Sequence, residues 1–281
     1  MKIAVIGAKG MLGSELCRVL GKQHEMLAWD IDEIDITDRA GTLARLGAER
    51  PDLIINSAAL VNVEVCEAEP DKAWRINTVG AQNLALAAQQ MGSALLYIST
   101  DYIFDGQTTV AYDEVATPNP INQYGRSKLA GERLSLQNCQ RTYSIRTAWI
   151  FGHSANSYVQ RVLNAADKEG VVRMPEDQLE SPTYTVHLAE AILRLIATGA
   201  YGIYNVTSLG ACTRADFAKF VLQAAGRSEP VEIVDSAAIQ RPVKRPPHVV
   251  LDCRLIQLVT GQPLAHWQQA VQDYFANARA R

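Results

Sequence analysis

Short apolar runs alternate with longer stretches of helical periodicity through the first half of the chain. Ile3-Ala4-Val5-Ile6 is apolar throughout and β-branched at three of four positions, which suits a strand buried on both faces. Leu53-Ile54-Ile55-Asn56 and Ala94-Leu95-Leu96-Tyr97-Ile98 repeat the pattern, with weaker versions at Met26-Leu27-Ala28-Trp29-Asp30 and Tyr143-Ser144-Ile145-Arg146. Helices are predicted between these strands, over 11–21, 38–50, 70–91 and 122–137. Asp38 or Thr37 is a suitable N-cap for the second, and Pro70 opens the third. Strictly alternating strands and helices predict an α/β fold built on a doubly wound parallel sheet. The pattern weakens after Trp149. Helices are expected over 156–168, 186–198 and 213–225, the last capped by Thr213, and two more near Arg254 and His266. A strand is expected over 202–206. Arg241-Pro242 and Arg245-Pro246-Pro247 mark a proline-stiffened connection.

The chain has 281 residues, enough for a sizeable core and for one large or two interlocked domains. Its net charge of −3 gives no electrostatic case for nucleic acid. The five cysteines are scattered and lack a Cys-x-x-Cys pair, and the five histidines have no ligand spacing. That argues for reduced thiols, a cytoplasmic location and no zinc site. No apolar run approaches the length of a membrane span, and the chain opens directly on a strand, so neither membrane anchor nor leader is expected.

Chemistry enters at the first strand–helix turn. Gly7-Ala8-Lys9-Gly10-Met11-Leu12-Gly13 is a Gly-x-x-Gly-x-x-Gly turn between a strand and a helix, the context that gives such a motif meaning. Gly7 permits the tight turn, Gly10 lets backbone approach a pyrophosphate, and Gly13 lets helix and strand pack closely. Unpaired N–H groups at the helix start would face the phosphates. The expected architecture is a dinucleotide-binding Rossmann domain over 1–149. A smaller C-terminal α/β domain for substrate follows over 150–281, with segments near 185–206 packing back on the first. Asp30 ends the second strand, where an acid suits ribose hydroxyls and opposes a 2′-phosphate. Lys9 argues the other way, so the choice between NADH and NADPH stays open. Tyr124 and Lys128 lie four apart on a predicted helix and so share a face, and a nearby ammonium favours the phenolate. Thr100 ends the fourth strand with a second hydroxyl.

With these residues in place, the whole chain resembles the extended short-chain dehydrogenase/reductases, and within them the dTDP-4-dehydrorhamnose reductase group. The likeness rests on the glycine turn, Asp35-Ile36-Thr37-Asp38, Ser99-Thr100-Asp101-Tyr102-Ile103-Phe104-Asp105-Gly106 and the segment Pro118 to Lys128. It continues through Arg146-Thr147-Ala148-Trp149, Asp177-Gln178, Pro182-Thr183, Arg245-Pro246 and Leu251-Asp252. The resemblance implies that Tyr124 donates a proton to a C4 ketone oxygen of a nucleotide sugar as a nicotinamide delivers hydride. It further implies that Lys128 lowers the tyrosine pKa and holds the nicotinamide ribose, and that Thr100 bonds the substrate oxygen. Gly10, Met11, Leu12, Asp30, Asp35, Ile36, Ala58, Ala59 and Leu60 would line the cofactor. Asp101 would contact the sugar or cap the following turn; Trp149 would pack on the sugar or in the core. Arg245 would pair with the diphosphate or stay solvated. Asn77 would bridge to the lysine through water or lie on an exposed face. Some relatives hold Mg2+ at a dimer interface; Glu15 is the one candidate, with a solvated glutamate as the alternative, and no metal ligand set is assigned. The chain departs from the family pattern at Leu60-Val61, Glu180 and Val249, which leaves the exact sugar open. Monomer and homodimer are both compatible with the sequence. Two other functions also stay open: another nucleotide-sugar reductase or epimerase, and a non-catalytic NADP-binding regulatory subunit.

Overall fold

In the computed structural model, which describes residues 1–235 and 242–278, six parallel strands form the central sheet. They are β1 (Lys2–Ile6), β2 (Glu25–Trp29), β3 (Leu53–Asn56), β4 (Ala94–Ile98), β5 (Thr142–Arg146) and an edge strand, Gly202–Asn205. Their order runs from the edge strand through β5, β4, β3 and β1 to β2. The register pairs Ile3 with Leu53 and Ile55 with Leu96. All residues of β3, β4 and β5 are buried, as two-sided coverage by helices requires.

Alternate residues of each strand enter different cores, because successive side chains point to opposite faces. Ile3, Val5, Leu53, Ile55, Leu96 and Ile98 pack with Leu12 and Leu16 of the helix Met11–Leu20 and with Leu188, Ile192 and Leu195 of the helix Thr185–Ile196. Ala4, Ile6, Ile54 and Leu95 face Leu46, Leu84 and Ala88 on the other side. Each fully buried leucine or isoleucine here contributes about 1.5–3 kcal/mol. The helix Thr185–Ile196 and the edge strand both come from the second half of the chain and complete the first half's sheet.

The remainder is a second lobe of short parallel pairs. Ile150–Phe151 pairs with Thr183–Tyr184, Val172–Met174 with Val231–Ile233, and Leu179–Glu180 with His248–Val249. Its core is aromatic, with Phe151, Tyr184, Phe217, Trp267 and Tyr274 buried together. Thr213 caps the helix Arg214–Ala224 through a reciprocal box with Asp216. Arg241, at one end of the predicted proline-stiffened connection, lies outside the described residues.

One predicted helix is not regular. The stretch 70–91 is α-helical over Pro70–Trp74, π-helical over Arg75–Gly80 and α-helical again over Ala81–Met91. Asn77 lies in the π turn and is buried. Among the described residues no helix is long and apolar enough to cross a membrane.

Candidate active site

The glycine turn closes over the carboxyl end of β1. Gly7 has φ +84°, and a Cβ there would stand 2.8 Å from the Ala58 backbone nitrogen. A Cβ on Gly13 would stand 2.0 Å from the Gly7 carbonyl oxygen, so Gly13 serves packing and does not line the cavity. Gly10 is the N-cap of the helix Met11–Leu20 and has no side-chain cap, which leaves N–H groups free for an anion. A cavity of about 620 Å³ runs from Gly7, Lys9 and Gly10 past Asp30, Asp35 and Ile36 to Ala58 and Ala59. Its shape and its backbone donors fit a dinucleotide. At the ribose end, Asp30 Oδ2 accepts the Lys9 N–H at 2.9 Å, and the Lys9 ammonium is tied to Asp32.

A second cavity of about 370 Å³ shares Gly10, Ser57 and Ala59 with the first. Met11, Leu12, Thr100, Asp101, Tyr124, Lys128 and Trp149 line it. Asn122 caps the helix Gln123–Asn138 by accepting the Gly125 N–H, which places Tyr124 in the first turn and Lys128 one turn further, both facing inward. Gly125 is needed for this approach, because a Cβ would stand 2.1 Å from the Tyr102 carbonyl oxygen. Thr100, and not Asp101, caps the short 3₁₀ turn Asp101–Ile103; its hydroxyl accepts the Tyr102 N–H and donates to Asp101 Oδ1 at 3.0 Å. Trp149 has φ +37°, a left-handed backbone that costs a non-glycine residue of order 1–3 kcal/mol. Its ring packs edge-on to Tyr158, with the Arg214 guanidinium 5.0 Å from its centroid.

The electrostatics of the pair differ from the sequence expectation. Lys128 Nζ donates to the Ile98 carbonyl at 2.6 Å and sits 4.2 Å from the centre of the Tyr97 ring, not against the phenol. Burial pulls its ammonium down to about 7. Burial also pushes the Tyr124 phenol well above its ordinary value; a hydrogen bond from Thr100 opposes this and the charge of Asp101 adds to it. Lys128 is not among the groups that act on the tyrosine's ionisation here. Desolvation outweighs attraction between groups that spacing alone brings close.

This has a measurable consequence for stability. Unfolded Lys128 would hold its proton to an ordinary 10.5 and folded Lys128 only to about 7. Its buried charge therefore costs stability in full below pH 7, and the cost fades as pH rises toward 10. Lys128→Met is expected to raise the melting temperature most at about pH 6 and least at about pH 10. Equal shifts at both pH values in thermal unfolding would contradict it.

A third cavity, of about 490 Å³, meets the second at Val61. Arg161, Arg173, Arg214 and Arg245 line it beside Tyr102, Tyr158 and Glu64, an excess of positive charge that favours an anion. The RmlD substrate binding domain matches residues 1–280. This chain belongs to that family.

Among individual relatives of this RmlD-family chain is the spore coat polysaccharide biosynthesis protein SpsK of Bacillus subtilis. It is 36% identical over 97% of this chain and 96% of its own length. A dTDP-4-dehydrorhamnose reductase of Aggregatibacter actinomycetemcomitans is 32% identical over 99% of both chains. The crystal structure of a dTDP-4-dehydrorhamnose reductase from Bacillus anthracis in complex with NADP superposes with a TM-score of 0.95. It is 32% identical and covers 98% of this chain and 99% of that one.

Several residues of this family member make contacts that the sequence does not show. Leu60 is not in the wall of either cofactor-side cavity. Its backbone N–H and carbonyl are both held by the Asn77 side chain, at 2.8 and 3.0 Å, and Asn77 Nδ2 also reaches Ser127 Oγ at 3.0 Å. Asn77 thus ties the cofactor-side loop directly to the helix of Tyr124 and Lys128. Arg245 lines the anion cavity but is ion-paired with Glu64. Arg146 stays inside the sheet, paired with Glu132 at 2.7 Å. Glu15 is not solvated: it is 3% exposed and accepts from Arg18 at 2.7 Å. Among the described residues of the single chain, no group of three or more acidic, histidine or cysteine side chains is arranged for a metal. Arg161, Arg173 and Arg214 escape a sequence reading because they come from two different helices and a strand and meet only in three dimensions.

Proposed function

We propose that this protein reduces the C4 ketone of dTDP-4-dehydro-β-L-rhamnose to dTDP-L-rhamnose, using NADH or NADPH, in dTDP-rhamnose biosynthesis. The observation that carries the reading is the continuity of three cavities: one fitted to a dinucleotide, one holding Thr100, Tyr124 and Lys128, and one walled by arginines. The family membership supports it. A bound reduced nicotinamide supplies the hydride. Tyr124, kept protonated by burial, gives its proton to the ketone oxygen as that oxygen gains charge. Thr100 bonds the same oxygen, Lys128 orients the nicotinamide ribose, and Trp149 closes the sugar side. Arg214 and Arg161 face the nucleotide diphosphate, where a guanidinium fork matches phosphate oxygens; Arg245 joins them by exchanging Glu64 for phosphate.

In this reading residues 1–149 form the cofactor domain and 150–281 mainly the substrate domain. The protein works in the cytoplasm, as a monomer or a homodimer. Asp30 opposes a 2′-phosphate, and Asp32 ties up the Lys9 ammonium that would otherwise welcome one. NADH is therefore expected to give the higher kcat/KM, by about tenfold, the scale of one screened charge contact of ~1.4 kcal/mol. The test is a panel of nucleotide-linked 4-keto sugars with each reduced cofactor, followed by cofactor absorbance and product analysis. Turnover of dTDP-4-dehydro-β-L-rhamnose to dTDP-L-rhamnose supports the proposal. Absence of oxidation with every sugar, or isomerised sugar with no net cofactor consumption, overturns it.

A further inference from the structure

Lys128 carries its ammonium into the interior and rests it on an aromatic ring. The residue is 3% exposed. Its Nζ donates to the Ile98 carbonyl at 2.6 Å and stands 4.2 Å from the centre of the Tyr97 ring. Glu132, one turn further along the helix, is engaged with Arg146 and acts on the ammonium through its charge alone. A charge so deep in a protein needs compensation. The negative face of an aromatic ring attracts a cation, and more strongly where water is excluded.

Tyr97 is itself held from three sides. It lies in β4, between Asn56 of β3 and Ser144 of β5, and is 1% exposed. Its hydroxyl reaches the Lys128 carbonyl at 3.1 Å and the Asn77 carbonyl of the π turn at 3.4 Å. Gly131 makes room for this approach: a Cβ there would stand 2.1 Å from the Asn77 carbonyl oxygen and 2.6 Å from the Tyr97 hydroxyl. Tyr97 thus meets both ends of Lys128, the backbone through its hydroxyl and the ammonium through its ring face. Apolar filling alone calls for neither the phenol oxygen nor a glycine opposite it.

We propose that Tyr97 is a positioning residue for Lys128: its ring seats the ammonium as a cation at the carboxyl end of β4, and its hydroxyl fixes the ring against the helix of Lys128. The contact of Lys128 with a nicotinamide ribose rests on the function proposed above; the seat on the ring does not. The groups around the ammonium are Tyr97 and the Ile98 carbonyl from β4, and Glu132 and Tyr124 from its own helix. Cys66 adds to them from the helix Val63–Ala68, and Asp101 lies in the same cavity wall. The Lys128 charge is present below its midpoint of about 7 and lost as pH rises through it. Taking the ring face away disfavours the cation, so the midpoint moves down.

The deciding experiment is side-chain NMR of full-length, lysine-labelled protein with no ligand, over a pH series. The wild type is expected to show one lysine that titrates far below the others, and Lys128→Met should erase that signal. Tyr97→Leu should lower its midpoint by about one pH unit, the scale of a cation–ring contact away from water. Tyr97→Phe keeps the ring and should leave the midpoint close to the wild type. An unmoved or raised midpoint in Tyr97→Leu with native circular dichroism overturns the proposal. An equal fall in Tyr97→Phe would assign the effect to the hydroxyl and would also overturn it. If Tyr97→Leu does not fold, fluorinated phenylalanines at position 97 decide the same question, because they keep the shape of Phe and weaken the negative face of the ring. The midpoint should fall with each added fluorine; no dependence on fluorine removes the seat. With an active substrate, the alkaline limb of kcat/KM should move down in Tyr97→Leu and not in Tyr97→Phe. A limb unmoved although the NMR midpoint has fallen would count against the proposed reaction and for the ring seat. Because the NMR readout needs no substrate, the two failures are separable.

Discussion

Tyr124→Phe is expected to lower kcat by about 10²- to 10⁴-fold, the usual contribution of a positioned general acid, with little change in KM. The substitution removes one oxygen and one proton. It leaves the ring where its edge contact with Tyr102, at 5.7 Å between centroids, holds it. Burial keeps the phenol protonated across the working pH range, which suits a group that gives a proton to a ketone and suits a resting base poorly. Loss confined to kcat would mean that the hydroxyl acts in the transition state and not in ground-state binding. Steady-state kinetics with the cofactor and sugar of the proposed reaction check this. A variant within tenfold of wild type would remove Tyr124 from the reaction.

Glu132→Ala is expected to destabilise the fold by about 3–5 kcal/mol, the cost of leaving one member of a buried ion pair without its partner. Glu132 and Arg146 are 1% and 3% exposed. The guanidinium reaches both carboxylate oxygens, Ser144 donates to Oε2 at 3.0 Å, and Arg146 Nη1 also donates to the Glu114 carbonyl. Without Glu132, the Arg146 charge stays inside the sheet with the Glu114 carbonyl and the Phe104 ring, and no carboxylate among the described residues, to meet it. Against a typical total of about 5–15 kcal/mol, this is a large share. Urea unfolding should show a much lower midpoint with an unchanged slope. Replacing both residues with apolar side chains of similar volume should recover most of the loss. A loss below about 1 kcal/mol for Glu132→Ala would contradict the role given to the pair.

The sheet was legible in the sequence because its signals are local. Ile3–Ile6, Leu53–Asn56 and Ala94–Ile98 each carry enough β-branched or apolar side chains to declare a two-sided strand, and the glycine turn has a fixed place after the first. The positions of Thr100, Tyr124 and Lys128 follow from strand ends and helix spacing. What spacing cannot carry is the dielectric around those positions. Lys128 and Tyr124 share a face as predicted, yet burial moves both away from their ionised forms. Arg146 and Trp149 stand three apart in one motif, but one enters the sheet and the other the cavity wall. Glu180 reads in sequence only as a departure from a family pattern. Its buried carboxylate meets Arg214, which comes from a different element, a contact that no spacing along the chain reveals.

The π turn at Arg75–Gly80 makes the chain length there a counted quantity. An α-helix advances about 100° per residue. The wide turn takes up one residue that would otherwise cause such a rotation, so a deletion there would regularise the backbone and remove the bulge that sets Asn77 against Leu60 and Ser127. Leu84 and Ala88 would then keep their places in the core only if Asn77 swung off both Leu60 and Ser127. Homologous chains that share this clamp should therefore tolerate substitutions across the segment far better than insertions or deletions.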